Sequence, residues 1–169
     1  MHEGVRGSAL IFSTQRHRGT EFFYKSLVFV SMCNKKIDCS MNVEELGEYN
    51  ELTHIVIGAA MDVHRELGPG LLESVYEACL IHELRLRNIK CESQINIPII
   101  YKGQEIDKDF RIDVLVEDKI IIELKSVEKL LPIHEVQLVT YLKLSNKKLG
   151  LLINFNVPVL KDGIKRRIN

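Results

Sequence analysis

Asp113, Glu123 and Lys125 are the side chains whose types and spacing could do chemistry, because each sits in a segment that is otherwise apolar. The stretch Phe110–Lys125 reads Phe-Arg-Ile-Asp-Val-Leu-Val-Glu-Asp-Lys-Ile-Ile-Ile-Glu-Leu-Lys. Two β-branched runs flank a polar turn at Glu117-Asp118-Lys119, the pattern of a β-hairpin. Ionised groups on hydrophobic strands are costly unless they pair or hold a cation. Side chains alternate along a strand, so Glu123 and Lys125 share a face while Ile122 and Leu124 take the other. Two carboxylates with a nearby ammonium suggest a divalent-cation site, and hard oxygen ligands in small number favour Mg²⁺ or Mn²⁺ with retained waters.

The turn sets the geometric condition. A two-residue turn puts Asp113 and Glu123 on opposite faces of the hairpin. A three-residue loop, Glu117 to Lys119, pairs Val116 with Ile120 and sets Asp113 opposite Glu123, with Cβ atoms about 4.5–5.5 Å apart. The expectation is the three-residue loop or an equivalent bulge.

Asp113 followed after nine residues by Glu123-Leu124-Lys125 resembles the D…(D/E)-x-K signature of the PD-(D/E)XK nuclease superfamily. Gly70-Leu71-Leu72-Glu73-Ser74-Val75-Tyr76 resembles the motif of the GxxExxY family within it. Gln137-Leu138-Val139-Thr140-Tyr141 is similar to the Q-x-x-x-Y helix of the RecB-like branch. The three occur in the family's order and span about residues 50 to 160. The resemblance implies a Mg²⁺- or Mn²⁺-dependent nuclease acting on DNA or RNA. Asp113, Glu123 and the Leu124 carbonyl would be metal ligands, Glu73 a helix-borne acid that either joins them on the metal or stands just outside, and Lys125 the group that orients water or neutralises charge. Gln137 and Tyr141, four apart on one helix face, would touch phosphate or the attacking water. It also implies a restriction-endonuclease-like α/β core, a mixed four-stranded sheet flanked by helices in the order αβββαβ. The alternative is a nuclease-fold module that binds nucleic acid or a protein partner without cutting.

Composition narrows the setting. The 169 residues hold 23 basic and 23 acidic side chains, so no global field pulls the chain toward nucleic acid or membrane. No apolar run approaches the roughly 20 residues of a membrane span. Cys33, Cys39, Cys79 and Cys91 show no metal or redox spacing, which suggests a reducing, cytoplasmic compartment.

The positioning elements follow from periodicity. Residues 1–40 hold four of the six phenylalanines without a sustained period, and are expected to be a poorly ordered extension preceding a nuclease-like domain over 41–169. Leu52, Ile55, Val56, Ala59, Ala60, Val63 and Leu67 predict a helix from about Glu51, stopped by Gly68-Pro69-Gly70. A second helix is expected over 71–87, with Leu72, Val75, Tyr76, Cys79 and Leu80 inward. Strands are expected at 94–101, where Pro98 argues for an edge position or a bulge, and at 104–116 and 120–125. A helix from Leu131-Pro132 to about Leu144, with Val136, Val139, Leu142 and Leu138 inward, leads to a strand at 148–154. Lys161, Lys165, Arg166 and Arg167 are expected on a short basic tail. His64 reads as a structural donor at a helix end, Tyr76 as packed under the site with its hydroxyl bonded locally, and Glu135 as a solvated acid.

Overall fold

Asn42 caps the first helix, its side chain accepting the Glu45 N–H at 2.7 Å. In the computed structural model, which describes residues 42–106 and 110–169, helix α1 therefore spans Val43–Leu67 and begins well before Glu51. The added turns place Glu44 and Glu45 at the helix N-terminus, where the dipole favours them, and Leu46 and buried Tyr49 carry the three-residue apolar steps back from Leu52. The expected extension over residues 1–40 lies outside the described residues.

Helix α2 (Glu73–Leu86) follows, then β1 (Cys91–Asn96), β2 (Ile99–Tyr101), β3 (Gln104–Ile106), β4 (Arg111–Val116) and β5 (Ile120–Lys125). Helix α3 (Pro132–Leu144), β6 (Leu149–Asn154), a 3-10 turn at Leu160–Gly163 and β7 (Ile164–Ile168) complete the chain. The central sheet has the order β1-β4-β5-β6-β7, and its β5–β6 pair is parallel while the other three pairs are antiparallel. The sheet is mixed and flanked by helices as expected, but it has five strands. The fifth is β7, expected as a basic tail. Ile164 and Ile168 pack against the core while charged Lys165, Arg166 and Arg167 lie between them, a composition that suits an edge strand.

The expected strand over 104–116 is two strands in different sheets. β3 pairs with β2 in a separate two-stranded hairpin, whereas β4 lies inside the main sheet. The intervening Asp-Lys-Asp has low strand preference. Pro98 separates β1 from β2, as its missing N–H requires.

Two apolar clusters sandwich the sheet. α1 and α2 cover one face with Val56, Ala60, Val63, Tyr76, Leu80 and Leu84 against Val114, Ile122, Leu124 and Leu151. α3 covers the other with Leu138, Tyr141 and Leu142 against Leu115, Ile121 and Leu152. Several expected inward residues differ. Leu67, Leu72, Val75 and Val136 are exposed, and Leu84 and Tyr141 are buried instead. The turn of each helix was shifted by its neighbours: α2 faces the core through Tyr76, Leu80 and Leu84, one continuous i, i+4, i+8 row. α3 sits close to β6, because Gly150 has no side chain where a Cβ would lie 2.6 Å from Leu138 Cδ1.

Candidate active site

The hairpin between β4 and β5 has the three-residue register. Val116 pairs with Ile120, Leu115 with Ile121 and Val114 with Ile122. Glu117 and Asp118 adopt left-handed φ of 50° and 54°, and the Lys119 N–H bonds the Val116 carbonyl at 2.9 Å. Continuing this register by one residue sets Asp113 opposite Glu123, both with the side-chain parity of Leu115 and Ile121, toward α3.

At that level the strands part. Asp113 Oδ2 accepts the Leu124 N–H at 2.8 Å, in place of a strand-to-strand rung. The β1–β4 ladder is also interrupted there. Ser93 pairs with Val114 and Ile95 with Ile112, but Gln94, at φ 55°, makes no pair with Asp113. Asp113 thus lies just past the last β4–β5 pair and at a skipped position of the β1–β4 ladder.

Glu123 is 1% exposed. Its Oε1 accepts the Lys125 Nζ at 2.6 Å, while Oε2 is buried with no hydrogen-bond partner. Burial, and then repulsion from Asp113, push its carboxyl up to about 7 against the pull of Lys125. Burial also raises Asp113, opposed by the Leu124 N–H and by Lys125. Lys125 is depressed by burial, yet Glu123, Glu73 and Asp113 together hold it above its ordinary value. The carboxylates and the ammonium form one electrostatically coupled group.

Other expected residues gather around it. Gln137 Nε2 donates to Tyr141 Oη at 2.8 Å, and burial raises the phenol, with Glu123 and Asp113 adding to the shift. Phe110 meets the Tyr141 ring edge-on at 4.7 Å between centroids. Glu73 Oε1 accepts the Ser126 N–H at 2.9 Å, immediately after Lys125. Ser126 Oγ donates to the Leu71 carbonyl at 2.5 Å, so the start of α2 and the exit of β5 are tied twice. Fully buried Tyr76 stacks on Phe155 at 4.3 Å; its hydroxyl donates to Gly68 O at 2.6 Å and accepts from Leu71 N at 3.2 Å. Gly70, at φ 99°, lies in the loop so held. His64 Nε2 donates to the Val157 carbonyl at 2.8 Å, the structural role expected of it. Glu135 is not a free solvated acid, since it pairs with Arg167 of β7.

Several contributors had no motif to mark them. Buried Asn154 accepts the Val127 N–H at 3.0 Å and donates to the Val127 carbonyl at 2.8 Å, fixing the backbone just past Lys125. Only the sheet register, which sets Asn154 beside Lys125, reveals it. Glu77 could have been found, being one helical turn after Glu73 on the same face.

These residues fit a hard divalent cation. Among the described residues no three His, Cys, Asp or Glu side chains form a ready cage. A site of two carboxylates, a backbone carbonyl and waters is nonetheless what Mg²⁺ takes, because it dehydrates reluctantly. The orphaned Glu123 Oε2 is an acceptor such a cation would satisfy.

Among solved structures, one described as "Crystal structure of SSO0001" is 23% identical with a TM-score of 0.42, and the match covers 89% of this chain and 77% of that one. No curated protein matches. No helix among the described residues is long and apolar enough to cross a membrane. The family model of the PD-(D/E)XK nuclease superfamily matches residues 50–167, the span that holds the parted strands, Glu73 and the Gln137–Tyr141 helix, and the chain belongs to that superfamily.

Proposed function

We propose that this chain is a Mg²⁺- or Mn²⁺-dependent nuclease hydrolysing phosphodiester bonds in DNA or RNA. Asp113, Glu123 and the Leu124 carbonyl are its metal ligands on this reading, and Glu73 holds the backbone that follows them. The observation that supports it most is the buried, unpartnered Oε2 of Glu123 beside Asp113 and Lys125. A purely structural domain gains nothing from burying an acceptor without a partner. When bound, the cation supplies Lewis acidity toward a phosphoryl oxygen and a more acidic water. Lys125 meets negative charge as it builds on the phosphate. The Gln137 amide and Tyr141 hydroxyl orient the water or a phosphate oxygen. The Gly70, Glu73 and Tyr76 spacing supports placement in the GxxExxY group, and free Cys79 and Cys91 agree with a cytoplasmic setting.

A non-cleaving module that binds nucleic acid or a protein partner is the second reading. It is favoured by Leu72 and Ile133, 73% and 61% exposed, which adjoin Glu73 and precede Gln137 by one turn.

Calorimetric titration with Mg²⁺ and Mn²⁺, on the intact chain and on Asp113→Ala and Glu123→Ala, tests the site. Affinity lost in both variants supports it, and affinity surviving both refutes it. Single- and double-stranded DNA and RNA incubated with Mn²⁺ then test the activity; metal bound with every substrate intact would favour the second reading.

A further inference from the structure

Glu77 lies outside the motifs, yet three observations join it to the site. It follows Glu73 by four residues, so both project from the same side of α2, the helix that packs on β4. Its Oε2 accepts the Gln94 side-chain amide at 2.6 Å. Gln94 is the residue whose left-handed backbone leaves the ladder opposite Asp113, so the feature that opens the sheet at Asp113 also directs an amide to Glu77. Asp113 and Glu77 repel each other, and no ion pair answers Glu77 among the described residues.

The charges here do not balance. Asp113 repels both Glu77 and Glu123, Glu73 repels Asp113 and Glu123, and the ion pair formed among these groups is Lys125 with Glu123. Elsewhere on α1 and α2, Glu45, Asp62 and Glu83 are each answered by a cation. An independent sign of a missing positive ligand is Glu123 itself, 1% exposed with Oε2 unpartnered.

We propose that Glu77, held by Gln94, is a further carboxylate of the cation site. It acts through a water of the bound divalent ion, on the side of Asp113 away from Glu123. Gln94 is a positioning residue that leaves Glu77 Oε1 turned to that water. The inference rests on the cation site proposed above.

The test is calorimetry with MnCl₂ and MgCl₂ on the full chain, beside thermal unfolding of the metal-free protein. Glu77→Gln is expected to weaken binding by about tenfold, the loss typical of a group that orients a metal's ligands. Its metal-free melting temperature should be unchanged or higher, because a repulsion with Asp113 is removed. Glu77→Asp should recover part of the affinity, and Gln94→Ala should lose part. If wild type binds and both Glu77→Gln and Gln94→Ala bind within twofold of it, the proposal is overturned while the site stands. It is equally overturned if Glu77→Gln melts well below wild type without metal, which marks the pair as structural. A wild-type chain that binds neither ion sinks the site and the proposal together.

Discussion

Two clusters of charge in this protein are built from similar parts and end differently. In the first, Arg87 at the end of α2 donates to Glu83 through Nε and Nη2 at 3.1 and 2.9 Å, to the Ile55 carbonyl at 3.3 Å and to Asp62 of α1. The donors of one guanidinium are distributed over acceptors from two helices, and Asp62 is held below the usual carboxylate range by Arg65 and Arg87. In the second, Lys125 answers one oxygen of Glu123 and leaves the other buried and alone, and Glu123 is pushed up to about 7. The first cluster is complete without help and fastens α1 to α2. The second leaves a buried acceptor unanswered by the chain itself, the feature on which the proposed cation site rests.

The comparison can be broken by substitution, the largest effect coming first. If the proposed nuclease reading holds, Asp113→Ala or Glu123→Ala should lower turnover by about 10³-fold, roughly 4 kcal/mol of transition-state stabilisation, in a Mn²⁺-supported cleavage assay. The metal-free protein should next show a pH dependence due to Glu123. Its carboxyl titrates near 4.5 when unfolded and about 7 when folded. Between those values the folded state holds more protons, so stability falls as pH rises through the window, by roughly 3 kcal/mol in total. Urea unfolding should show that fall, Glu123→Gln should flatten it, and Mg²⁺ at pH 8 should reverse it. Arg87→Met should cost about 1–3 kcal/mol of stability through lost charged hydrogen bonds, discounted for their partial exposure, and leave metal affinity unchanged. Gln137→Ala should slow turnover about tenfold, near 1.4 kcal/mol, without loss of metal binding, as single-turnover kinetics can separate. Arg65→Ala, removing an exposed pair with Asp62, should change the melting free energy by less than about 1 kcal/mol.

How far the sequence could be read depended on whether a residue's role was local. The hairpin around Glu117–Lys119 and the helix carrying Gln137 and Tyr141 follow from alternation and spacing, whereas the loop length stayed open until the β4–β5 register set it at three residues. β7 escaped notice because its pairing with β6 is set by the sheet, while Lys-Arg-Arg at its centre looks like a solvated tail. Gln94 was illegible for another reason: nothing in its residue type announces a left-handed backbone opposite Asp113. Asn154 is an ordinary polar residue until the fold lays it beside Val127. Residues that act through long-range partners leave no local pattern to read.

Gly150 reaches further than its position suggests. Since Leu138 fills the space a methyl group there would need, the depth at which α3 rests on the sheet is decided at one backbone atom of β6. Gln137 and Tyr141 flank Leu138 on that helix, so their distance from the acid pair is set from beneath, by a residue that touches neither. Bulk added at Gly150 would act as a wedge, changing the clearance between α3 and the acid pair while Asp113, Glu123, Gln137 and Tyr141 stayed the same.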